Sequence, residues 1–111
     1  MHRGEMKVFI ALGGNFALAA PDLSYTAEAL RNCELTVQVS TKLNRSHVEH
    51  GTAALILPCL ARSERDVQAS GLQGISVEDG MAMVHLSRGL KDPISPDLLS
   101  EPAIIEVAPT K

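Results

Sequence analysis

Residues 7–22, KVFIALGGNFALAAPD, decide the fold of this chain. Residues 7–12 form a short apolar run rich in Val, Ile and Phe. That pattern predicts a strand buried on both faces, as in a parallel sheet. The run breaks at Gly13-Gly14-Asn15, and a second apolar stretch follows. A glycine pair at the end of a buried strand has two readings. It makes a turn, or it leaves backbone N–H groups bare for an anionic ligand. GGN is not the GxGxxG fingerprint of dinucleotide sites, so these residues alone favour the turn.

Working outward, Pro21-Asp22 opens a helical stretch, PDLSYTAEALRNC, with Leu23, Ala27, Leu30 and Cys33 spaced for one face. Residues 35–39, LTVQV, alternate like a strand. Residues 40–50, STKLNRSHVEH, predict a loop passing into a short helix. Residues 53–57, AALIL, form a third apolar run stopped by Pro58. The first half therefore alternates strand, helix, strand, helix or loop, strand. This order suits parallel strands joined by right-handed crossovers. The second half predicts short extended segments between glycines. A helix is then predicted from Ser95, with Pro96 and Asp97 in its first turn and an interruption at Glu101-Pro102. The expected fold class is α/β: a Rossmann-like three-layer arrangement with a mainly parallel sheet, residues 1–111 making one domain.

Composition narrows the function. The chain has 111 residues, 45% hydrophobic but only 3% aromatic, with no Trp, so its core is aliphatic. Few aromatics and a net charge of −3 with no basic block argue against a nucleic-acid partner. Cys33 and Cys59 lie far apart without a CxxC, as buried thiols of a reducing compartment. No apolar run reaches the length of a membrane span, and residues 1–7 are short and charged, unlike a secretory leader. The expectation is a cytoplasmic protein with no membrane partner.

Individual polar residues carry little by themselves. His47 and His50 flank Glu49 in an HxxH spacing, but no further ligand cluster accompanies them, so a solvated turn is favoured over a metal site. His85 sits in an apolar stretch and reads as a satisfied or partner-facing histidine. Glu78 and Asp79 beside Gly80 fit a turn better than an acid pair. Arg62, Glu64, Arg65 and Asp66 read as a salted surface loop, or else Arg62 or Glu64 orders a ligand at the sheet edge. No nucleophile–base pair is evident.

Five stretches together carry more. VFIALGGNFALAAPD, VQVSTKLNRSH, LILPCLARSERD, GISVEDGMAMVHLSRG and SPDLLSEPAII, in this order and spacing, resemble consecutive segments of the molybdopterin-dependent oxidoreductases, and more narrowly the formate-dehydrogenase-like alpha subunits. The resemblance covers nearly the whole chain but only a small interior part of such a subunit. It implies a domain that helps cradle a molybdopterin guanine dinucleotide. The guanine nucleotide would lie at Gly13, Gly14, Asn15 and Phe16, and at Ser40, Thr41 and Lys42. The family often places an acidic residue after the second strand. Ser40-Thr41 stand there in this chain, so that contact would differ or come from Asn44 or Arg45. Arg62 and Glu64 follow the family pattern after the ILP segment.

The resemblance also implies what lies elsewhere. Molybdenum, its ligand and an iron–sulfur cluster would be held by other parts of the subunit. The partners would be those remaining domains and an electron-transfer subunit. This chain alone would be folded, colourless, without cofactor and inactive. Two other functions fit the residues without the resemblance: a free-standing nucleotide-binding or regulatory module, and an interaction domain that docks through its sheet edge.

Overall fold

The computed structural model describes residues 1–78 and 80–107. The chain falls into two compact units, Met1–Pro58 and Cys59–Lys111.

In the first unit, β1 (Val8–Leu12), β2 (Leu35–Ser40) and β3 (Ala53–Pro58) form a parallel sheet in the order β1-β2-β3. The register pairs Val8 with Leu35 and Leu35 with Ala53, and runs on without a bulge to Ser40 beside Pro58. Between β1 and β2 come α1 (Phe16–Ala19) and α2 (Leu23–Arg31). Asp22 caps α2 through its side chain, which accepts from the Tyr25 N–H at 2.9 Å. A short 3-10 turn, Arg45–His47, precedes β3. The predicted α/β class with a parallel sheet is thus present, and all three strand expectations hold.

Two details differ from the expectation. The buried stripe of α2 is Thr26, Ala29 and Leu30, continued by Cys33 just beyond the helix, while Leu23 is half-exposed. Thr26 enters the stripe because its hydroxyl donates to the Asp22 carbonyl at 2.7 Å, which removes the cost of burying it. The strands are also less covered than a doubly buried sheet requires. Val8, Ile10, Leu12 and Leu55 share one face by register, and each is 46–63% exposed. Continuous apolar runs report strands suited to burial on both faces, not the presence of a cover in the same chain.

The second unit holds two small antiparallel ribbons. β4 (Val67–Gln68) pairs with β5 (Gly71–Leu72), and β6 (Ile75–Glu78) pairs with β7 (Val84–Ser87). β5, β6 and β7 fall in residues 71–89, where extended segments are expected between glycines, and β4 precedes that stretch. Of the turn expected at Glu78-Asp79 beside Gly80, Glu78 ends β6 and Asp79 lies outside the described residues. The final helix, α3 (Glu101–Val107), starts at Glu101 rather than at Ser95. Ser95 instead closes a turn, its carbonyl accepting from the Leu98 N–H at 3.3 Å, and Leu99 bridges to Cys59. Pro102 then sits in the first turn of α3, where its missing N–H removes no helix bond. Glu101-Pro102 therefore starts the helix and does not interrupt one.

Gly51 supports the first unit. A Cβ at this position would overlap the Cys33 carbonyl, because the chain crosses β2 closely before β3. Gly51→Ala is expected to cost about 1–3 kcal/mol by forcing these backbones apart. Urea denaturation followed by circular dichroism measures the loss.

Candidate functional site at the carboxyl edge of the sheet

β1 and β2 both end at one edge of the sheet. The loops leaving them are bonded together. The Gly13 N–H donates to the Val39 carbonyl at 2.7 Å and extends the ladder one step beyond β1. Gly13 and Gly14 then take φ values of +62° and +71°, a conformation that side-chain-bearing residues resist. Around Gly14 a Cβ would meet nothing within 4 Å. The glycine pair is thus required by the turn, and open space lies beside it.

The loop after β2 holds this turn in place. Asn44 Nδ2 donates to the Gly14 carbonyl at 2.7 Å. Ser46 Oγ donates to Asn15 Oδ1 at 3.1 Å and accepts from the Ala17 N–H at 2.8 Å. Ser46 is itself fixed, since its N–H donates to Asn44 Oδ1 and its carbonyl accepts from Gln38 Nε2 at 3.3 Å. Ser40 Oγ donates to the Lys42 carbonyl at 2.7 Å and tightens the start of the same loop. Among the described residues, no hydrogen bond is made by the N–H groups of Gly14, Asn15 and Phe16. Three consecutive backbone donors are therefore available at this edge.

The structure brings Gly13, Gly14, Asn15, Phe16, Ser40, Thr41, Lys42, Asn44 and Arg45 into these two adjoining loops. Their jobs differ. Asn44 is spent on holding the loops together. Arg45 turns to Glu49, donating from Nε and Nη2 at 3.1 and 2.7 Å. Thr41 and Lys42 are exposed and make no hydrogen bond or ion pair through their side chains among the described residues. Arg62 and Glu64 belong to the second unit. There Glu64 accepts from the Ala61 N–H at 2.7 Å and the Ile94 N–H at 3.2 Å, a structural use of its carboxylate.

Glu49 is the group that the HxxH spacing concealed. Its side chain is buried and takes Arg45 on one oxygen and Arg31 on the other, at 2.5 Å. The Arg45 hydrogen bonds, with Arg31 adding its charge, hold the Glu49 carboxyl below the ordinary carboxylate range against the opposing effect of burial. His47 is buried rather than solvated, and its Nδ1 accepts from the Asn44 N–H at 3.0 Å. Its Nε2 is buried and makes no hydrogen bond among the described residues. His50 is exposed and bonds to the Gly51 carbonyl. Among the described residues, no three His, Cys, Asp or Glu side chains gather into a set able to hold a metal ion. Nor is any described helix long and apolar enough to cross a membrane.

Comparison with known proteins adds relatives of much greater length. The chain is 57% identical over 105 residues to proteins named as uncharacterized oxidoreductases from Mycobacterium bovis and Mycobacterium tuberculosis. The match covers 95% of this chain and 14% of either relative. It is 47% identical over 102 residues to Protein YdeP of Escherichia coli K12, covering 92% of this chain and 13% of that protein. The chain thus spans about a seventh of the length of the curated relatives it matches. No family model matches, and no solved structure matches.

Two outcomes follow from this geometry. Gly14→Ala is expected to cost about 1 kcal/mol from its positive φ alone, and Gly14→Asn less, in thermal melts. For Glu49, a folded-state pKa below the unfolded value means stabilisation fully present above the ordinary value of about 4.3 and lost as pH falls through the folded value. The melting temperature should therefore fall on acidification below that point. Glu49→Gln should melt lower than the native chain at pH 7 and show a shallower acid dependence.

Proposed function

We propose that this chain is a cofactor-binding segment of a molybdopterin-dependent oxidoreductase of formate-dehydrogenase-like type, contributing the seat of a guanine nucleotide. The observation that carries this reading is the run of three unbonded N–H groups at Gly14, Asn15 and Phe16, beside open space at the carboxyl edge of a parallel sheet. Ligands of open α/β sheets gather at that edge. The oxidoreductase names of the mycobacterial relatives support the parent activity. Their length supports a role inside a larger polypeptide, as does the half-exposed aliphatic face of Val8, Ile10, Leu12 and Leu55.

The residues present fit a nucleotide. Backbone donors of Gly14, Asn15 and Phe16 would meet its polar oxygens, and a side chain at Gly14 would enter the space left for it. Lys42, in the adjoining loop, is an exposed cation with no ion pair among the described residues. Asn44 and Ser46 keep the loops in position, so the donors need little reordering on binding. The bound molybdenum centre would supply two-electron transfer with a small substrate such as formate. This chain's share would be positioning and tuning of the cofactor.

The test uses the full-length mycobacterial relative. Purified protein is expected to contain molybdenum in stoichiometric amount and to release guanosine monophosphate on acid hydrolysis. Absence of both from folded protein made in a host that synthesises the cofactor would contradict the proposal.

A further inference from the structure

The second unit contains a basic hollow that shares only Arg62 with the residues expected at the cofactor. Arg62, Ser63, Ser87, Arg88, Leu90 and Lys91 line a depression of about 680 Å³. Three of its six lining residues are cations, and none is acidic. In a chain of net charge −3, that local excess stands out.

The backbone builds this arrangement. The Leu90 and Lys91 N–H groups both donate to the Ser63 carbonyl, at 3.0 and 2.9 Å, and the Arg65 N–H donates to the Lys91 carbonyl at 2.8 Å. The two loops approach so closely that a Cβ on Gly89 would overlap the Glu64 carbonyl. A glycine at position 89 therefore permits the contact that carries Arg88 and Lys91 to Arg62. Nearby carboxylates are already committed. Glu64 accepts two backbone N–H groups, Asp92 pairs with Arg65, and Asp66 accepts from Gln68. No ion pair among the described residues satisfies Arg62, Arg88 or Lys91.

Like charges gathered without a counter-ion repel, and a multivalent anion relieves that repulsion. Two guanidinium groups offer forked donors suited to phosphate oxygens, and Lys91 adds a point charge. Ser63 and Ser87 place hydroxyls in the same lining. We propose that this hollow binds a phosphoryl group carrying at least two negative charges. The source is either a free phosphate or pyrophosphate ion or the phosphates of a nucleotide. The site lies wholly in the second unit and does not depend on the role given to Gly13–Phe16.

The full 111-residue chain, labelled with ¹⁵N, tests this by titration with inorganic phosphate, pyrophosphate and guanosine diphosphate, each at about 0.15 M salt. Saturable shifts of the Arg62 and Arg88 Nε–H signals with pyrophosphate are expected. Arg88→Gln and Lys91→Gln should each weaken binding about tenfold while the amide spectrum stays dispersed. Both residues are exposed, so neither change threatens the fold. Tighter binding of guanosine diphosphate than pyrophosphate at these side chains assigns the phosphate to a nucleotide; equal or weaker binding assigns it to the free ion. Shifts that do not saturate, or that persist unchanged in both variants, overturn the site.

Discussion

The hydroxyl of Ser46 joins the two loops on which the candidate site rests. It accepts from the Ala17 N–H and donates to Asn15, so one buried side chain binds the start of α1 to the glycine turn. Asn44 does the complementary work on the Gly14 carbonyl. Removing either leaves polar groups of the first unit without partners, at a cost of about 1–3 kcal/mol for each buried group. What the pair secures is a shape. Gly13 and Gly14 are held at positive φ, and three N–H groups remain turned away from any protein acceptor.

Burial and charge around this joint are arranged to the same end. Gln38 reaches from β2 to the Ser46 carbonyl, so the sheet itself fixes the loop that fixes the turn. Glu49, three residues beyond Ser46, draws Arg45 and Arg31 together and ties the end of α2 to the 3-10 turn. Burying a carboxylate is unfavourable unless its lone pairs are met, and here two guanidinium groups meet them. Cys59 shows the opposite case in the second unit. Burial, with Glu101 and Glu64 adding, pushes its thiol up and keeps it an unreactive apolar group at neutral pH.

Much of this was legible in the sequence because strand and helix periods are local. The runs at Val8, Leu35 and Ala53 announced three strands, and the β1–α–β2 crossover announced parallel pairing. Pro21-Asp22 marked the opening of α2. The face buried by α2 was harder to read, since Thr26 joins the core through a hydrogen bond that hydropathy does not register. Exposure of Ile10 and Leu12 was hidden for a different reason: an apolar run describes the environment a strand suits, whereas covering it depends on partners distant in sequence. Ser46 and Glu49 carried no signal of their own. A serine beside HxxH looks like loop, and its value appears only when residues about 30 positions apart meet. Gly89 was equally silent, because the need for it arises from the backbone of Glu64.

The candidate site depends on Ser46 as the bond between the two loops, and amide hydrogen exchange at Ala17 measures that bond directly. Ala17 is buried, and its N–H is held by Ser46 Oγ at 2.8 Å. In the native chain this amide should exchange slowly, with protection close to that of the β2 amides. In Ser46→Ala it should exchange much faster while the β2 amides keep most of their protection. An Ala17 amide that exchanges freely in the native chain, or that is equally protected in Ser46→Ala, would contradict the account.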